Sequence, residues 1–147
     1  MGGSIMKRLL FVAILFFLLL AACVGPIAPA TSSKSAKVSV PGGSYTNVSV
    51  TQLKAMLDKK DFAFINVHIP YEGEIAKTDA FVPYNDIEKN LDKVPADKNA
   101  KIVLYCRSGR MSTLAAETLV RQGYTNVWNV EGGMVAWETL GLPLKTQ

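Results

Sequence analysis

Short apolar segments alternate with segments of helical periodicity over residues 45–147, and this alternation constrains the fold more than any other feature. Apolar and β-branched runs predict strands at residues 62–67, 102–105 and 127–130, and a weaker alternation predicts an edge strand at residues 45–50. Strands that alternate with helices form a parallel sheet that is covered on both faces. The sequence therefore predicts a single α/β domain.

Apolar residues at helical spacing predict the helices that flank this sheet. One helix is expected to have Thr51 as its N-cap, and a short one is expected after Tyr84. Two more are expected over residues 113–120 and 134–140. Gly123 follows the third helix and suits the left-handed conformation in which many helices end.

The loop at residues 106–112 carries the strongest signal for chemistry. It connects the strand at residues 102–105 to the helix at residues 113–120, and parallel sheets form their sites at such carboxyl ends of strands. Helix N-terminal amides and nearby cations both favour a thiolate, which is the nucleophilic form of cysteine. We therefore expect Cys106 to be reactive, although a buried inert cysteine is the alternative. In order, the loop residues are Cys106, Arg107, Ser108, Gly109, Arg110, Met111 and Ser112.

Residues 1–22 have the pattern of a signal peptide. Lys7 and Arg8 form a positive region before an uncharged run at residues 9–20, which is too short to span a bilayer comfortably. The segment Leu-Ala-Ala-Cys that ends at Cys23 resembles the bacterial lipobox, where cleavage precedes a cysteine that becomes lipidated. An uncleaved anchor is the alternative. Both place the rest of the chain outside the cytoplasmic membrane, on the periplasmic or cell-surface side.

The remainder of the chain divides into a tether and a domain. Residues 23–44 are rich in Pro, Gly, Ser, Thr and Ala and are predicted to form a flexible tether, followed by the folded domain at residues 45–147. Loss of residues 1–22 leaves 14 basic against 12 acidic residues, a net charge of about +2. This balance gives no reason to expect a nucleic-acid partner.

The two cysteines have different expected fates. If Cys23 carries lipid and anchors the protein to a membrane, Cys106 has no partner in the chain. Exported proteins usually pair their thiols in disulfides, so an unpaired cysteine in that compartment favours a chemical role.

Residues from about 48 to 144 resemble the single-domain rhodanese family of sulfurtransferases. The residues that carry the resemblance are Ile102-Val103-Leu104-Tyr105 running into the 106–112 loop, then Gly123-Tyr124, then the segment Val-Trp-Asn-Val-Glu-Gly-Gly-Met-Val-Ala-Trp at residues 127–137. The first half departs from the family: Asn66-Val67-His68 stands where Asp-Val-Arg is usual. The resemblance implies a three-layer fold with a central parallel sheet of about five strands.

The resemblance also implies an activity. Cys106 would take a sulfane sulfur from an anionic donor such as thiosulfate or a polysulfide and pass it, as a persulfide, to a thiol or cyanide. Loop N–H groups would cradle the persulfide, and Gly109 would supply a positive φ for the tight turn. Arg107 and Arg110 would attract the anionic substrate.

The remaining loop residues have less specific expectations. Ser108 and Ser112 would donate hydroxyl hydrogen bonds, although Ser112 could instead cap the following helix. Met111 would either line the pocket or pack beneath it. No cofactor is expected, and no metal is expected because the acidic residues lack ligand spacing with His or Cys.

Two other functions compete with this interpretation. Cysteine-loop phosphatases use a Cys-x5-Arg pattern. Counted from Cys106, the arginine would stand at position 112, which is Ser112 here, and Arg110 comes two residues early. A non-enzymatic sulfur carrier, or a binding module on the same scaffold, is the second alternative, motivated by the altered Asn66 and His68. His68 is expected to contact Asn66, Glu72 or the loop backbone rather than to act as a base.

Overall fold

The computed structural model describes residues 35–146, in which six strands form one sheet in the order β1-β2-β6-β5-β3-β4. All neighbouring strands are parallel except β1 and β2, which pair antiparallel. The predicted α/β fold is therefore confirmed, with a mixed rather than wholly parallel sheet. The strands are β1 (Ala36–Val40), β2 (Gly43–Val48), β3 (Ala63–Asn66), β4 (Ala80–Phe81), β5 (Ile102–Tyr105) and β6 (Val127–Val130).

The hairpin formed by β1 and β2 corrects part of the predicted tether. Residues 36–44 belong to this hairpin, and its register pairs Val40 with Gly43. Pro41 and Gly42 make the turn, with Gly42 at a φ of 93°. The Pro and Gly composition that suggested a linker is here the chemistry of a tight turn. The rest of the tether, the signal peptide and Cys23 lie outside the described residues.

Within residues 35–146, three α-helices and one 3₁₀ segment flank the sheet. They are α1 (Val50–Asp58), the 3₁₀ segment (Tyr84–Lys93), α2 (Arg110–Arg121) and α3 (Gly133–Thr139). The predicted N-cap Thr51 is wrong: Ser49 Oγ accepts the Gln52 N–H at 3.3 Å, and Gln52 Oε1 accepts the Ser49 N–H at 3.0 Å. This reciprocal capping box satisfies two otherwise free donors and starts α1 earlier. None of the helices within residues 35–146 is long and apolar enough to cross a membrane.

Apolar residues on both faces of the sheet bury it between two layers of helices. In β5, Leu104 faces a cluster that includes Ala115 and Leu119 of α2, whereas Val103 faces a cluster that includes Leu53 of α1. Adjacent strand residues point to opposite faces, so an uninterrupted apolar strand requires cover on both sides. β5 is buried along its whole length and has β3 and β6 as neighbours. Its carboxyl end, where Cys106 follows, is therefore fixed by packing on every side.

The start of α3 is joined to the backbone of the cysteine loop. The N–H groups of Met134 and Val135 donate to the carbonyls of Cys106 and Arg107, each at 2.9 Å. This approach requires glycine at position 133, because a Cβ there would lie 2.1 Å from the Cys106 oxygen. Gly133 also has a φ of 52°, which non-glycine residues rarely adopt. The second glycine of the Gly-Gly pair is therefore needed for contact between loop and helix.

We expect Gly133→Ala to destabilise the protein more than Gly123→Ala does. Gly123 has a similar left-handed conformation, with a φ of 88°, but nothing lies within 4 Å of its Cβ position. Gly123→Ala should thus cost only backbone strain, about 1 kcal/mol, while Gly133→Ala adds a backbone clash for a total of about 3 kcal/mol or more. Urea unfolding of both variants measures the difference. Equal losses in free energy of unfolding would contradict the proposed contact.

Candidate functional site

The sulfur of Cys106 lies inside the loop that follows β5. Its Sγ accepts a hydrogen bond from the Gly109 N–H at 3.1 Å and lies 3.5 Å from Ser112 Oγ. Cys106 is 1% exposed and is a free cysteine. Two donors thus stand next to the sulfur, and both would stabilise negative charge on it.

Gly109 makes the tight loop possible. Its φ is 98°, as predicted, and a Cβ at this position would lie 3.3 Å from the Gly132 nitrogen. Gly109 is also the N-cap of α2, which begins at Arg110. The alternative in which Ser112 caps the helix is therefore wrong, since Ser112 lies within the first turn. Its single hydroxyl proton is shared between Cys106 Sγ and the Gly109 carbonyl, which is 3.0 Å away.

The other amides of the loop are not used by hydrogen bonds within residues 35–146. Three carbonyls of the loop peptides already have hydrogen-bond donors: those of Cys106 and Arg107 accept from α3, and that of Gly109 accepts from the Thr113 N–H. Since each peptide is planar and trans, an N–H points away from the carbonyl of its own peptide. The free N–H groups, which donate no hydrogen bond to any described residue, are those of Arg107, Ser108, Arg110, Met111 and Ser112. Free amides at a helix N-terminus form an anion-binding site.

The two arginines of the loop occupy different electrostatic environments. Arg107 Nη1 donates to Glu72 Oε2 at 2.9 Å, while its side chain remains 50% exposed. Arg110 is exposed and makes no hydrogen bond or ion pair with a side chain of the described residues. Arg110 therefore supplies the uncompensated positive charge at the loop. The sequence could not distinguish them, because Glu72 is 35 positions away from Arg107.

The altered segment at residues 66–68 retains a structural role. Asn66 Oδ1 accepts the His68 N–H at 3.0 Å, and Asn66 Nδ2 donates to the Gly73 carbonyl at 3.0 Å. Asn66 thereby holds the neighbouring loop without a charge. His68 is 6% exposed, and its Nε2 lies 3.4 Å from Glu72 Oε2 without hydrogen-bond geometry. This places His68 beside the partner of Arg107.

Tyr105, directly before the cysteine, hydrogen-bonds to the loop that follows residues 66–68. Its hydroxyl accepts the Ile75 N–H at 3.0 Å and lies 2.6 Å from Thr78 Oγ1. Burial raises the pKa of Tyr105 well above its ordinary value, so the phenol stays neutral. The sequence predicts Tyr105 only as part of a strand, because an apolar run gives no signal of a hydroxyl partner 30 positions away.

Two cavities border the cysteine loop. A polar cavity of about 300 Å³, widely open to solvent, lies between Ser108, Gly109 and Arg110 on one side and Thr113, Asn129 and Glu131 on the other. An apolar cavity of about 480 Å³ lies between Ser108 and α3. Met111 packs against the core cluster beneath α2, which resolves its two predicted positions. No group of three His, Cys, Asp or Glu side chains suited to a metal occurs within residues 35–146.

Comparison with known proteins gives this loop a context. A family model described as a rhodanese-like domain matches residues 49–140. A sulfurtransferase from Allochromatium vinosum is 36% identical over 93 residues, which cover 60% of this chain and 83% of that protein. A tRNA uridine(34) hydroxylase from Erwinia tasmaniensis is 29% identical over 113 residues, or 70% of this chain, but only 32% of that longer protein is covered.

Solved structures agree with the sequence comparison. A rhodanese-related protein from Thermoplasma volcanium superimposes with a TM-score of 0.59 at 25% identity, covering 69% of this chain and 98% of that one. The matched family region includes the whole cysteine loop, the carboxyl end of β5 and the Gly-Gly turn into α3. The chain therefore belongs to the family of rhodanese-like domains.

Proposed function

We propose that the protein is a thiosulfate sulfurtransferase of the rhodanese type, with Cys106 as the nucleophile that carries sulfur. The observation that supports this most directly is the sulfur environment: Sγ accepts the Gly109 N–H, and five neighbouring amides have no partner among the described residues. A persulfide is an anion that extends from Sγ by one sulfur atom. Free N–H groups around the loop are suited to stabilise that extra sulfur.

In the first half-reaction the Cys106 thiolate attacks the outer sulfur of thiosulfate. A bond forms between Sγ and that sulfur, the sulfur–sulfur bond of thiosulfate breaks, and sulfite leaves with the bonding electron pair. Thiosulfate carries two negative charges, so the donor needs a cation near the loop. Arg110 has no competing ion pair among the described residues, whereas Arg107 is held by Glu72.

In the second half-reaction a nucleophilic acceptor attacks the outer sulfur of the persulfide. The new bond joins acceptor and outer sulfur, the bond to Sγ breaks, and Cys106 leaves as the thiolate. A thiol acceptor becomes a persulfide and cyanide becomes thiocyanate. The Gly109 N–H that supports the starting thiolate also supports the leaving thiolate.

The loop is less suited to phosphatase chemistry. Ser112 occupies the position of the phosphatase arginine and is fully buried. Its hydroxyl donates hydrogen bonds to the Cys106 sulfur and the Gly109 carbonyl. It brings no positive charge to a phosphate. Arg110 lies on the exposed side of α2, two residues before the required position.

We further propose that the protein is a lipoprotein outside the cytoplasm, held to a membrane through Cys23. The lipobox-like sequence at residues 20–23 and the preceding uncharged run support this assignment. Cys106 is then the single thiol of the mature chain, so no disulfide within the chain can remove it from catalysis.

Cys106→Ser should abolish sulfur transfer from thiosulfate to cyanide, because a serine hydroxyl cannot carry the sulfane sulfur. Thiocyanate formation measures the activity, and circular dichroism verifies that the variant is folded. Mass spectrometry after polysulfide treatment separates the alternatives. A sulfur adduct on the wild type without turnover would indicate a carrier, no adduct would indicate a binding module, and equal activity of both proteins would overturn the proposal.

Glu72→Gln should increase kcat/KM for thiosulfate about threefold at low ionic strength. The change removes a negative charge near the donor site and weakens the hold on Arg107, which becomes free to bind the anion. Glu88→Gln removes the same charge from the exposed face of the 3₁₀ segment and serves as the matched control. The gain should shrink as salt is added. An unchanged or lower kcat/KM for Glu72→Gln would contradict the role of this pair.

Cells that express the full chain should incorporate a fatty-acid probe into the protein through Cys23. Cys23→Ala should lose the label, and Cys106→Ala should keep it. Absence of label on the wild type, or its persistence in Cys23→Ala, would remove the lipoprotein assignment.

A further inference from the structure

We propose that the polar cavity beside the cysteine loop binds the α-amino and α-carboxylate groups of an amino-acid thiol, which is the acceptor of the sulfur. This inference rests on the proposed sulfurtransferase function and names the substrate of its second half-reaction. It is carried by a buried polar group, by two opposite charges and by the position of the cavity.

The buried polar group is Asn129 in β6, which lines the cavity and is 2% exposed. Its Nδ2 donates to Asn47 Oδ1 at 2.9 Å and to Thr113 Oγ1 at 3.3 Å. Its Oδ1 has no hydrogen-bond partner among the described residues. A buried acceptor without a donor is costly, and an ammonium group bound in the cavity that Asn129 lines would supply the missing donor.

The two charges are Glu131 and Arg110, which line the same cavity without pairing with each other. Asn47 Nδ2 donates to Glu131 Oε1 at 3.0 Å and so fixes the carboxylate in place. Arg110 has no ion pair with a described residue. An α-amino acid carries an ammonium and a carboxylate on one carbon and would satisfy both side chains. A simple anion such as thiosulfate would leave Glu131 unmatched, so the cavity suits the acceptor.

The cavity shares Ser108, Gly109 and Arg110 with the loop, and Gly109 donates its N–H to the Cys106 sulfur. The shared residues would bring a thiol on the bound amino acid close to the persulfide. The acceptor thiolate would attack the outer sulfur, the bond from that sulfur to Cys106 would break, and the products would be an amino-acid persulfide and the Cys106 thiolate. A volume of about 300 Å³ suits a small ligand of this kind.

An acceptor series tests the charges. Cysteine, cysteamine, which lacks the carboxylate, and 3-mercaptopropionate, which lacks the ammonium, are compared as acceptors from thiosulfate, with cyanide as reference. In Glu131→Gln the ratio of kcat/KM for cysteine to that for 3-mercaptopropionate should fall about fivefold. The ratio of kcat/KM for cysteamine to that for 3-mercaptopropionate should fall by a similar factor. Glu88→Gln should leave both ratios at the wild-type value. The change in each ratio from wild type to variant is the measured quantity, because the different nucleophilicities of the thiols are the same in both proteins and cancel.

Unchanged ratios in Glu131→Gln would overturn the inference while leaving sulfur transfer intact. A second measurement does not depend on turnover: L-serine, which has no thiol, is titrated into the isotope-labelled protein, and amide shifts at Gly109 and Gly132 are followed by NMR. These shifts should saturate in the wild type and weaken in Glu131→Gln. Failure of the sulfurtransferase function would appear instead as absence of transfer to every acceptor. Serine that moves neither amide would also overturn the cavity assignment.

Discussion

The contact between the cysteine loop and the start of α3 is the constraint on which the site depends. Two helix N–H groups take up the Cys106 and Arg107 carbonyls, and Gly133 allows the two backbones to meet. With those carbonyls directed into α3, the N–H groups of the same two peptides, those of Arg107 and Ser108, point away from α3 and have no partner among the described residues. The Gly-Gly turn and the cysteine loop are therefore one structural unit, although about 25 residues separate them along the chain.

The buried strand β5 fixes the position of the cysteine loop relative to the core. Its four residues are fully buried between β3 and β6, so Cys106 leaves the sheet at a fixed point and direction. The neutral hydroxyl of Tyr105 also hydrogen-bonds to Ile75 and Thr78, which belong to the loop that carries Glu72. Glu72 precedes Ile75 by three residues in this loop and forms the ion pair with Arg107. A rigid scaffold places a polar loop that could not hold its shape alone.

Local patterns predicted the parts of the fold that are locally determined. The apolar runs at β3, β5 and β6 gave their strands, because a doubly covered sheet demands uninterrupted apolar residues. Thr51 was the predicted N-cap, but the reciprocal bonds between Ser49 and Gln52 make Ser49 the cap, and the Ser49-x-x-Gln52 spacing is the signal in the sequence that identifies it. The composition around Pro41-Gly42 suits a linker as well as a turn, and only the pairing of β1 with β2 distinguishes the two. The Arg107–Glu72 pair and the unpartnered Asn129 depend on tertiary contacts and leave no trace in spacing.

The distribution of charge around the loop fits two half-reactions with different electrostatic needs. Glu72 lies on the side of β3 and neutralises Arg107, while Glu131 lies on the side of β6 and leaves Arg110 unpaired. On the proposed assignment, a donor with two negative charges is drawn toward Arg110, and sulfite is released from a loop with limited positive charge. The same Arg110 then faces the carboxylate of an acceptor whose ammonium is directed to Glu131. One unpaired cation can serve both substrates because they occupy the site in turn, and the fixed carboxylate favours the one that carries a positive charge.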